Sequence, residues 1–166
     1  MPVRVLIPLR SPQVRAALTL ATSAMVAVAM MAHATTDDTT LPEPEVIVTE
    51  RLETWRGQGM SDALLAQISD GATVFRDTCA VCHGALGEGG AGYATPIIDT
   101  AALDKFRTGH RLFLYNRDMM PFNEPGSLPP ETVWQVTAFL MAMNGWLDGL
   151  DAPLGADNAR DVAIAP

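Results

Sequence analysis

Cys79-Ala80-Val81-Cys82-His83 is the stretch on which the reading turns. It holds both cysteines of the 166-residue chain, too close together to staple distant parts of a fold as the bridges of a disulfide scaffold do. A C-x-x-C redox pair would want a neighbouring βαβ pattern, and none is present. A zinc site would need about four nitrogen or sulfur ligands. Beyond Cys79, Cys82 and His83, only His110 remains outside the N-terminal segment. The spacing does fit covalent attachment of a c-type haem. Two thiols so placed can add to two vinyl groups on one edge of the macrocycle, and the histidine that follows is held where its imidazole reaches an axial position on the iron.

Working outward, Ser69-Asp70-Gly71 predicts the start of a helix with Val74, Phe75 and Thr78 on one face, running into Cys79. Residues 84–92 hold five Gly in nine positions and predict a loop with close backbone approaches. Thr108 is a candidate N-cap for a helix carrying Leu112, Phe113 and Tyr115. That helix must end before Pro121, because the residue preceding a proline is pushed out of the helical region. Pro130 opens a last helix with Val133, Val136, Thr137, Leu140 and Met141 on one stripe, stopping at Asn144-Gly145. No strand-like alternation and no internal repeat is found, so the fold class predicted is all-α with long loops.

Arg4, Arg10 and Arg15 precede 17 uncharged residues, Ala16 to Ala32, and Ala32-His33-Ala34 supplies the small residues of a cleavage signal. Residues 1–34 therefore read as a secretory signal peptide. As a retained anchor they are short, since 17 residues at 1.5 Å each span about 26 Å of a core about 30 Å thick. Cleavage removes three Arg and no acid, leaving 8 basic against 19 acidic side chains, a charge of about −11. A chain so acidic, with 6% aromatic residues, does not offer a nucleic-acid surface. It is expected to steer toward a basic docking surface. Residues 35–60 are rich in Thr, Asp, Glu and Pro and read as a linker or a segment draped over the domain, residues 61–147 as the working domain, and residues 148–166 as a tail, free or docked. So small a domain is expected to need a bound prosthetic group to complete its core.

From Gly71 to Gly145 the chain resembles a bacterial class I cytochrome c. The resemblance is carried by Gly71-x-x-x-Phe75-x-x-x-Cys79-x-x-Cys82-His83-Gly84, the Gly-rich loop, Met120-Pro121 and a C-terminal helix. The segment Met120-Pro-Phe-Asn-Glu-Pro-Gly-Ser-Leu128, with Val133-Trp134-x-Val136-Thr137-Ala138-Phe139-Leu140, is similar to single-haem cytochromes. Those include the cytochrome subunits of periplasmic sulfite dehydrogenases and thiosulfate-oxidising systems. Pro129-Pro130 departs from them, since they begin this helix with Ser or Thr and an acidic residue. The resemblance implies a small all-α fold whose first and last helices cross at Gly71, with Phe75 against the last helix. It implies one covalent haem c on Cys79 and Cys82, with His83 below the iron and Met120 above.

Pro121 favours Met120 over Met119 for that place, because it makes Met120 extended while Met119 still belongs to the preceding helix. Pro96 resembles the family proline whose carbonyl accepts a hydrogen bond from the ligand imidazole. His110 is the alternative distal ligand, and Tyr93, Tyr115, Trp134 and Phe139 are candidates to pack on the macrocycle or in the core. The function implied is single-electron transfer in the periplasm, between a dehydrogenase and a downstream cytochrome or oxidase, without catalysis of its own. The alternatives are a membrane-anchored subunit of a respiratory or photosynthetic complex, if residues 1–34 are retained, and a five-coordinate haem enzyme or sensor.

Overall fold

The computed structural model describes residues 43–164, and the expected signal peptide lies outside them. Five α-helices carry the domain: α1 (Pro44–Gly57), α2 (Asp62–Val74), α3 (Ala80–His83), α4 (Gly109–Met119) and α5 (Pro130–Met143). A π-helical turn, Phe75–Cys79, joins α2 to α3, and a 3₁₀ helix, Ala101–Phe106, precedes α4. Among the described residues there is no strand, only an isolated antiparallel bridge between Thr108 and Ala163.

α5 is the centre of the structure. Val133, Val136, Thr137 and the run from Ala138 to Met143 are buried, and α2 lies across it as its most extensive neighbour. The crossing point is Gly71: a Cβ there would overlap the carbonyl oxygen of Gln135 and lie 2.9 Å from Phe139 Cβ. One turn on, the Phe75 and Phe139 rings meet at 5.2 Å. Both contacts match the arrangement implied by the resemblance.

α4 is bounded as expected. The Thr108 hydroxyl accepts from the Arg111 N–H at 3.4 Å, and the helix ends at Met119, before Met120-Pro121. α5 likewise opens at Pro130 and stops at Asn144, followed by Gly145 at φ 75°. Pro129 stands at its N-cap without a side-chain bond, so the departure from the family pattern leaves this helix with proline pre-organisation alone.

One expectation needs correction, and two open readings are decided. α2 begins at Asp62, not at Ser69: the Ser61 hydroxyl accepts from the Leu64 N–H at 3.3 Å, and Leu64, Leu65 and Ile68 extend the buried stripe upstream of Gly71. The expected linker is helical from Pro44, because Val48, Leu52 and Trp55 fall at i, i+4 and i+7 and pack against the core. The expected tail is docked, with Leu154, Ala159 and Ile164 buried.

Candidate functional site

The π-helical turn sets up the site. Such turns insert one residue into a helix and re-aim the side chains that follow. Here the turn ends at Cys79, so Cys79, Cys82 and His83 line one cavity of about 420 Å³. Phe75, Leu112, Val136 and Leu140 give it apolar walls, and Met120 lines it from the loop after α4. The volume falls in the usual range for ligand and cofactor sites, about 300–1,000 Å³.

The loop after α3 is folded back over this motif. The Gly89 N–H donates to the His83 carbonyl at 2.8 Å, and the Tyr93 N–H to the Cys82 carbonyl at 3.0 Å. A Cβ at Gly92 would lie 2.6 Å from Cys82 Sγ, so only glycine lets the loop lie against that thiol. The Glu88 carboxylate accepts from the N–H groups of Ala85 at 3.0 Å and Leu86 at 2.7 Å. Burial pushes the Glu88 carboxyl up, but backbone donation from Glu88 itself, Leu86 and Ala85 outweighs it and leaves it below the ordinary range. The loop tie contributed by this carboxylate is therefore present above the unfolded pKa and is lost as pH falls through the lower folded value.

The donor set fits a covalently held haem. Cys79 and Cys82 form no disulfide. Burial, and secondarily the neighbouring Cys82, pushes the Cys79 thiol up to about 11. That is the reverse of the depressed thiolate used by redox C-x-x-C pairs. Burial also lowers the His83 pKa, favouring the neutral imidazole that ligates metals. The Tyr93 ring lies 5.2 Å from the imidazole, and His83 Nδ1 is buried with no hydrogen-bond partner among the described residues.

That orphaned nitrogen corrects one expectation. The Pro96 carbonyl accepts from the Thr100 hydroxyl at 3.0 Å rather than from His83. Thr100 Oγ1 also accepts from the Ala102 N–H at 3.2 Å, so it is committed to opening the 3₁₀ helix.

Met120 is extended (φ −125°, ψ 150°) and faces the cavity, whereas Met119 does not line it and is 48% exposed. His110 stands apart from the cavity, its ring 6.4 Å from Phe113 and 6.5 Å from Trp134. Of the four aromatic candidates, Tyr93 and Tyr115 line the cavity; Phe139 packs on Phe75, and Trp134 stacks on Phe113 at 3.7 Å. Sequence reasoning passed over two polar liners. Lys105, the chain's sole lysine, has its ammonium 5.2 Å from the centre of the Phe106 ring and 5.8 Å from that of Tyr115. Asn116 is buried, its Nδ2 donating to the Thr137 hydroxyl at 3.1 Å. The uniqueness of Lys105 was a usable signal; nothing in the sequence marks Asn116.

Residues 66–140 match the family model described as cytochrome c oxidase, cbb3-type, subunit III. This segment is a class I c-type cytochrome domain, and with it comes one covalently bound haem c and its iron. Among solved structures, the sulfane dehydrogenase SoxCD from Paracoccus pantotrophus is similar at 22% identity and a TM-score of 0.47. The match covers 75% of this chain and 66% of that one, just under two thirds of its length. No curated protein matches the chain.

Proposed function

We propose that this chain is an exported single-haem electron carrier. It takes electrons one at a time from a periplasmic dehydrogenase, or serves as that enzyme's cytochrome subunit, and passes them to another cytochrome or an oxidase. The observation that carries this reading is one cavity lined at once by the Cys79-x-x-Cys82-His83 motif and by Met120. When bound, the haem iron supplies a one-electron couple. Cys79 and Cys82 would hold the macrocycle through thioethers, and His83 and Met120 would be the protein's ligands to its iron, which would leave no position for a substrate. A neutral thioether favours the reduced metal and raises the potential. Phe75, Leu112, Val136 and Leu140 keep water from the buried side. Val81 and Phe122, 79% and 81% exposed, put apolar surface at the rim where a partner would meet it.

Export rests on residues 1–34. Among the described residues no helix is long and apolar enough to cross a membrane. Rapid mixing of the haem-loaded protein with carbon monoxide (reduced) or cyanide (oxidised) tests the closed iron. Slow, incomplete binding is expected; fast stoichiometric binding would mean an open iron and a haem enzyme or sensor instead.

A further inference from the structure

The chain beyond α5 turns back across the domain as a strap, and it lies outside the segment matched by the cytochrome family. Gln67 on α2 grips it with both ends of its carboxamide: Nε2 donates to the Leu154 carbonyl, and Oε1 accepts from the Leu154 N–H, each at 2.8 Å. Asn158 shapes the next turn, accepting from the Gly155 N–H at 2.9 Å and donating to the Pro153 carbonyl at 3.0 Å. The strap then pairs with the residues that open α4. The Ala159 carbonyl accepts from the His110 N–H at 2.8 Å, the Val162 carbonyl from the Gly109 N–H at 3.0 Å, and the Ile164 N–H donates to the Arg107 carbonyl at 2.9 Å.

The first four N–H groups of a helix have no partner within it. In α4, Thr108 supplies acceptors for Arg111 and Leu112, and the strap supplies them for Gly109 and His110. Burial of Ala159 and Ile164 seals the joint. The far end of the same helix delivers Met120, and 11 residues at about 1.5 Å each make a stiff rod of about 16 Å between the two. A helix held at its start transmits that position to its last residue, whereas a helix frayed at its start can tilt.

We propose that the strap, keyed by Gln67, is a positioning device for Met120: it fixes α4 so that the thioether stays on the iron. This rests on Met120 being the axial ligand. Gln67 and the strap act through α4.

The experiment uses the haem-loaded full chain, a version truncated after Asp151, and Gln67→Ala and Gln67→Glu variants. Readouts are the sulfur-to-iron charge-transfer band of the oxidised protein and the cyanide-binding rate. With the haem still covalently attached, truncation is expected to weaken the band and speed cyanide binding on the order of tenfold, because a less stable element opens more often. Gln67→Ala should do the same to a smaller extent, and Gln67→Glu, which keeps the acceptor for the Leu154 N–H, should fall between it and the parent. If truncation yields no folded protein, the Gln67 pair decides alone.

A full band and unchanged cyanide rate in the truncated chain, or in Gln67→Ala where it stands alone, would overturn the proposal. So would an equal loss of band in Leu64→Ala at matched thermal stability, since that variant weakens the α2 core without removing a strap hydrogen bond. Met120→Ala in the intact chain separates the two layers: if the band survives there, the axial assignment fails, whatever the strap does.

Discussion

Replacing Met120 by alanine is expected to abolish the sulfur-to-iron charge-transfer band, lower the reduction potential and open the iron to cyanide, while Met119→Ala leaves all three in place. The contrast follows from backbone chemistry. Pro121 excludes the helical region for the residue before it, and Met120 is extended at φ −125°, ψ 150°, whereas Met119 is still the last residue of α4. Met120 lines the cavity and Met119 points away, 48% exposed. The potential falls because removing the thioether lets water or a harder ligand reach the iron and stabilises the oxidised state. Optical titration of the two variants checks the assignment, and a band lost in Met119→Ala but kept in Met120→Ala would reverse it.

A second large effect is expected when the prosthetic group cannot attach. The Cys79→Ala, Cys82→Ala double variant, purified without haem, should lose most of its far-ultraviolet helical signal. The cavity measures about 420 Å³. Without the macrocycle its apolar walls, Phe75, Leu112, Val136 and Leu140 among them, would lie open to water in a domain whose whole stability is typically about 5–15 kcal/mol. Cavity walls come from the turn after α2, from α3, from α4 and from α5, so the loss falls on every element around the haem site. Native-like circular dichroism from the haem-free variant would contradict this.

What could be read from the sequence was whatever chemistry restricts tightly. Cys79, Cys82 and His83 have few rival uses at that spacing, and α4 and α5 carry punctuation at both ends: Thr108 and Pro121, then Pro130 and Asn144-Gly145. α1 escaped because Val48, Leu52 and Trp55 are diluted by Glu50, Arg51, Glu53 and Arg56, so composition spoke for a linker while spacing spoke for a helix. Ser69-Asp70 marks the helix start eight residues late, because the buried stripe of Leu64, Leu65 and Ile68 carries α2 back to a second Ser-Asp pair at Ser61. The strap has no period to detect. Leu154 is held by the Gln67 side chain, and Ala159, Val162 and Ile164 pair through backbone with His110, Gly109 and Arg107, a match between segments some fifty residues apart. The Pro96 carbonyl accepts from Thr100, four residues on, and does not reach His83, an orientation visible only in three dimensions.

The central claim, one haem with both axial positions filled and one electron carried, is tested most directly by potentiometric titration of the full chain, following the haem absorption and the charge-transfer band together. The expected result is a single reversible one-electron wave, with the band present in the oxidised protein and vanishing along that wave. An oxidised protein with no such band, or a spectrum of an iron with an open position, would contradict it.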